Sequence, residues 1–214
     1  MSDTLWGQSL AAFRDAVASD APTPGGGSVS MVSASLGLGL VVMALEITHK
    51  KQEPGPASAE IMRLLTTARQ QLAALGRHAD EDVEVFNAYM SALRMPKATA
   101  DEKATRKQAM QQALERATRA PLTAARTSLA ALEIADQAAG MAGIHVVSDV
   151  GAGAALLGGG VTAVLLNVDI NLPGIADAAL KESFAQERAD VARHAASLTA
   201  TVLEKVASRI AVGK

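Results

Sequence analysis

The chain contains no cysteine, so disulfides and thiolate chemistry are excluded and a reducing compartment is implied. Aromatic residues are scarce at 2%, although hydrophobic residues reach 49%. A core made of Ala, Val, Leu, Ile and Met, with Gly and Ser at close contacts, suits packed helices better than a β-sandwich. Charge of one sign is also missing: the net charge of −2 argues against a nucleic-acid surface. Met1-Ser2-Asp3-Thr4 has no basic stretch leading into an apolar run, and no secretory signal is read there. What the 214 residues do supply is enough chain for one domain with a sizeable core, and one domain over 1–214 is the expectation.

Two segments, 27–45 and 150–168, carry no charge and are long enough to span a bilayer. Ser28, Ser30, Ser33 and Ser35 interrupt the first, and neither has a Trp or Tyr belt. Both are read as buried helices, with no membrane contact.

The three/four rhythm of apolar residues predicts an all-α, antiparallel multi-helix bundle. A first helix spans about 4–19, with Leu10, Phe13 and Val17 on one stripe, and stops at Pro22 and Pro24. Helices follow over 28–50 and from Pro56 to Met95-Pro96-Lys97, the latter as one piece or two around Gly76. Thr99 to Glu102 reads as a capping box for a helix that bends at Pro121. A buried helix over 150–168, with Asp149 as its N-cap, and an amphipathic helix through Leu180 to Val206 complete the set. Between them, the alternation of Asn167, Asp169 and Asn171 with Val168, Ile170 and Leu172 suggests an extended exit strand or a polar lining.

Few residues offer chemistry. Pro24-Gly25-Gly26-Gly27-Ser28 opens a helix and exposes backbone N–H groups, but lacks the ending of a nucleotide P-loop; alone it reads as a flexible turn. Gly151-Ala152-Gly153 lacks the third glycine and the strand context of a dinucleotide fingerprint. His78 stands near Asp80, Glu81 and Asp82, without the spacing of a convincing zinc site. Asp82 borders the apolar stripe Val83, Phe86 and Met90; a carboxylate at an apolar wall can serve as general acid or base, or be a simple border charge.

Taken in order, Ala21 to Ser28, Asp82-Val83-Glu84-Val85-Phe86 with Met95-Pro96-Lys97, Ala120-Pro121-Leu122, Ser148-Asp149-Val150-Gly151 and Leu166 to Leu172 resemble the cyclodeaminase/cyclohydrolase family. The resemblance implies a helical homodimer in the cytoplasm that hydrolyses or forms the methenyl bridge of 5,10-methenyltetrahydrofolate. Formimino-tetrahydrofolate cyclodeamination is the alternative, and a non-catalytic folate-binding dimer the other. It implies Asp82 as the catalytic carboxylate, assisted by Lys50 or Lys51. It further implies a folate site drawn from Pro24, Gly25, Gly26, Gly27, Ser28, Thr48, Phe86, Lys97, Asp149, Asn167 and Asn171, with no metal or redox cofactor. Two stretches depart from the family pattern: Thr48-His49-Lys50-Lys51 lacks its glycine, and Ala142-Gly143-Ile144-His145 lacks its asparagines.

Overall fold

The computed structural model describes residues 4–213, and among them every regular element is helical. Six α-helices follow one another: α1 (Leu10–Val17), α2 (Gly26–His49), α3 (Pro56–Leu93), α4 (Ala100–Met141), α5 (Val147–Asn171) and α6 (Ala178–Val212). Short 3-10 turns precede α1 and flank α5.

The expected first helix is broken in two. Residues Leu5–Gly7 form a 3-10 turn held on α3, where Asp80 accepts the Leu5 N–H at 2.8 Å and Trp6 Nε1 donates to the Gly76 carbonyl at 2.9 Å. Ser9 then caps a fresh helix by accepting from Ala12 N–H. Helix α1 buries none of its residues: of its apolar stripe, Leu10 and Val17 are exposed and Phe13 is half-buried. By contrast, α3 runs unbroken through Gly76. The capping box at Thr99 and Glu102 is formed, and α4 continues past Pro121 without interruption.

Helices α2 and α5 lie antiparallel at the centre, in backbone contact. A Cβ on Gly153 would stand 2.5 Å from the Gly37 carbonyl oxygen, and one on Gly160 would stand 3.1 Å from that of Ser30. Glycine is required at such crossings because any side chain would hold the helices apart. α3 packs beside α2, α6 beside α5, and α4 against both. The core they enclose is Ala, Leu and Val, with Phe184 its largest fully buried side chain. At roughly 1.5–3 kcal/mol for each fully buried large aliphatic side chain, Leu38, Leu65, Leu132 and Leu165 outweigh any surface ion pair, which is worth at most about 1 kcal/mol.

Both charge-free segments belong to this central pair. α2 and α5 are long and apolar enough to cross a membrane, yet about half of each lies buried inside the bundle. Their remaining faces form one uncharged surface: Val29, Val32, Leu36, Leu40 and Met43 on α2, and Ala155, Leu156, Gly159, Ala163 and Leu166 on α5.

Two expectations about α5 need correction. It begins at Val147, with Val146 at the N-cap, so Asp149 sits inside the first turn and is not the cap. It also stays helical to Asn171, and no extended exit strand forms. A helical period turns the three polar residues differently from a strand. Asn167 and Asn171, one turn apart, share a face, while Asp169 points to α6 and pairs with Arg188 through two hydrogen bonds of 2.8 and 2.7 Å. The hydrogen-bonded Asp169 carboxylate holds the Arg188 guanidinium above its ordinary range.

Candidate active site

The N-terminus of α2 meets the middle of α3 and the C-terminal turn of α5. Helix α2 starts after Gly25, whose lack of a side chain leaves no local cap. Asp82 of α3 supplies one instead. Its Oδ2 accepts the Ser28 N–H at 2.9 Å and the Ser28 hydroxyl at 2.8 Å. Its Oδ1 receives only a long contact, 3.4 Å, from Asn167 Nδ2. Both oxygens therefore act as acceptors, as an ionised carboxylate's do, at the positive end of the α2 dipole.

This convergence depends on Gly27. A Cβ there would come within 2.0 Å of Asp82 Oδ1 and 2.5 Å of Asn167 Nδ2. Gly27 alone of the three glycines is thus a steric opening, through which a carboxylate from another helix reaches the Ser28 amide.

Asp82 opens into a cleft of about 340 Å³. Its walls include Thr23, Gly25, Gly26, Gly27, Phe86, Tyr89, Ala117, Asn167, Ile170 and Asn171. Phe86 and Tyr89, two of only five aromatic residues in the chain, give this cleft flat surfaces. The Thr23–Pro24 peptide bond in this wall is cis. Among the described residues, no Lys, Arg or His lines the cleft.

The structure thus brings together Gly25, Gly26, Gly27, Ser28, Asp82, Phe86, Asn167 and Asn171, with Pro24 in the same turn. It does not bring the others. Lys50 and Lys51 follow the far end of α2, about 33 Å from Ser28 at 1.5 Å per residue, and within one subunit cannot touch Asp82. Thr48 is at that far end too, where its hydroxyl donates to the Ala44 carbonyl and accepts from Gly143 N–H, a structural tie between α2 and the turn before α5. Asp149 lies about 27 Å from Asn167 along α5. Lys97 follows the end of α3, exposed and outside the cleft. His78 is held by Glu81 at 2.9 Å and Thr127 at 3.1 Å, a structural bridge between α3 and α4.

Sequence reasoning overlooked Tyr89, Ala117 and Ile170. Tyr89 was within reach: it is the only tyrosine, and stands seven residues after Asp82 on the same helical face. Ala117 and Ile170 carried no chemical signal at all.

Comparison with known proteins places the chain in a family. Residues 9–190 match the profile of the formiminotransferase-cyclodeaminase family. The chain is 32% identical to a methenyltetrahydrofolate cyclohydrolase of Methylorubrum extorquens, over 95% of this chain and 98% of that protein. It is 30% identical to the formimidoyltransferase-cyclodeaminase of Sus scrofa, covering 94% of this chain and 37% of the larger protein. The crystal structure of a formiminotetrahydrofolate cyclodeaminase from Thermotoga maritima superimposes with a TM-score of 0.83 at 24% identity, over 95% of this chain and 98% of that one, which shows a shared fold. By the extent of these matches, this chain belongs to the formiminotransferase-cyclodeaminase family.

Proposed function

We propose that the protein is a methenyltetrahydrofolate cyclohydrolase. The observation that carries the reading is Asp82: a carboxylate pinned through one oxygen by Ser28, with its other oxygen only loosely engaged, at the head of an aromatic-walled cleft. The similarity to the cyclohydrolase along nearly the full length of both chains supports it.

The methenyl bridge is an electron-poor carbon between two nitrogens. A water held against Asp82 Oδ1 adds its oxygen to that carbon and gives a proton to the carboxylate. The resulting acid then returns the proton to the departing ring nitrogen as that carbon–nitrogen bond breaks. The carbinol hydroxyl becomes a carbonyl, and its proton leaves to solvent, giving the 10-formyl product. General acid–base assistance of this kind is worth about 10²–10⁴-fold. Water and one proton-transfer group suffice, so the proposal includes no metal or redox cofactor. Loss of methenyl-tetrahydrofolate absorbance gives the test. A folded Asp82→Asn variant should turn over about 10²–10⁴-fold more slowly, and wild-type turnover in that variant would refute the assignment.

Cyclodeamination is the second reading, favoured by the relationship to the Sus scrofa enzyme. The same acid would protonate ammonia as the ring closes, and assays with methenyl- and formimino-tetrahydrofolate side by side decide between the two. A folate that binds without turning over would identify the non-catalytic alternative.

The proposal includes a cytoplasmic homodimer. The uncharged outer faces of α2 and α5 are each about 36 Å long and roughly 10 Å wide. Together they offer an area close to the ~800 Å² per partner of a stable interface. A second copy is the natural cover for a surface so self-similar. If α2 packs antiparallel on its counterpart, Lys50 and Lys51 of one subunit reach the cation-free cleft of the other. There they are placed to assist Asp82 or to meet the folate carboxylates.

A further inference from the structure

Proline 121 leaves a mark on the cleft. Inside α4 it has no N–H to give, so the carbonyl of Ala117 four residues earlier lacks its helical donor. Asn171 of α5 fills the vacancy, with its Nδ2 donating to that carbonyl at 2.9 Å. A carbonyl can only accept, so the amide end facing it is the NH2 group, and the orientation of Asn171 is fixed by chemistry. Asn167, one turn earlier, turns its Nδ2 toward the Asp82 carboxylate at a longer 3.4 Å, which orients its amide the same way round but holds it less firmly. Both asparagines line the cleft, and among the described residues no donor meets either side-chain oxygen.

We propose that Asn167 and Asn171 are specificity-determining residues that present a pair of amide oxygens to N–H donors on the heterocycle of the ligand. The two side chains leave α5 from neighbouring positions one helical turn apart, with Cβ atoms about 5–6 Å from each other. Such a pair selects a flat ring bearing an exocyclic amino group and ring N–H groups along one edge. It rejects rings that offer acceptors or alkyl groups there, since these would leave the two oxygens unpaired. Phe86 and Tyr89 cover the faces of such a ring. The assignment rests on the folate reading, whose 2-amino-pteridine carries these donors. It adds which part of the ligand is read, and it gives Pro121 a purpose: the proline frees the carbonyl that aims Asn171.

The test measures equilibrium binding of tetrahydrofolate and of its analogue with a methyl group in place of the 2-amino group. Wild-type protein should prefer the natural ligand by roughly tenfold or more, about 1.4 kcal/mol. Asn171→Leu should bind both ligands about equally. Pro121→Ala restores the N–H to Ala117, releases Asn171 and should reduce the preference without disturbing Asp82; it serves equally if Asn171→Leu does not fold. Wild type binding both ligands alike, or either variant keeping the full preference, overturns the proposal while leaving the folate reading intact. Wild type binding neither ligand overturns both.

Discussion

A methyl group on Gly27 would stand 2.0 Å from the Oδ1 atom of Asp82, well inside any van der Waals contact. Gly27→Ala therefore separates helix stability from site integrity. Alanine favours a helix over glycine by about 1 kcal/mol, so circular dichroism and melting should show a folded protein. Turnover should nonetheless fall by about 10²-fold or more, as expected when the general base is displaced. Near-normal activity would mean that Asp82 does not work from the position described.

Ser28 gives Asp82 two hydrogen bonds, one from its backbone and one from its hydroxyl. Ser28→Ala removes the second and keeps the first. A hydrogen bond to a charged group contributes about 1.5–3 kcal/mol, so kcat should fall by roughly tenfold to a hundredfold. Ser28→Thr, which keeps the hydroxyl, should lose less.

On α2, two glycines close in sequence should respond with opposite signs. Gly37→Ala places a methyl 2.8 Å from the backbone oxygen of Gly153 and forces the central pair apart. Overpacking of this kind costs about 1–3 kcal/mol. Gly39 has open space where a Cβ would go, and Gly39→Ala should be neutral or stabilising by up to about 1 kcal/mol. Chemical denaturation of the two variants reads the difference directly.

Mixing experiments test the proposal that two subunits share each site. Lys50→Ala/Lys51→Ala and Asp82→Asn should each be impaired as pure proteins. Unfolded and refolded together, they should regain activity, because one site of each mixed dimer holds an intact Asp82 and intact lysines. Leu36→Glu/Leu156→Glu should give a folded monomer in sedimentation. A wild-type protein that sediments as a monomer, or mixtures that stay inactive, would remove Lys50 and Lys51 from the mechanism.

The helices were legible because apolar spacing, the Thr99 capping box and the proline breaks act locally. The break after Gly7 was not, because it depends on the bonds of Leu5 and Trp6 to Asp80 and Gly76, 75 and 70 residues away. The residues of the site could be named from motifs, but not their grouping. Sequence order places Lys50 nearer to Ser28 than Asp82 is, while a straight helix carries Lys50 to the opposite end of the molecule and an antiparallel return brings Asp82 back. Of the two readings of the 167–172 alternation, the polar lining holds for Asn167 and Asn171 and the strand does not, because alternation over five residues fits a short strand as well as a helix whose sides differ in polarity.

Trp6, the chain's single tryptophan, is seated on α3 at Gly76, and its neighbour Leu5 is bonded to Asp80, half a turn before Asp82. Intrinsic indole fluorescence of the whole protein thus originates from one place. Any rearrangement of that stretch of α3 when the cleft fills will be visible as a change in emission, with no label attached.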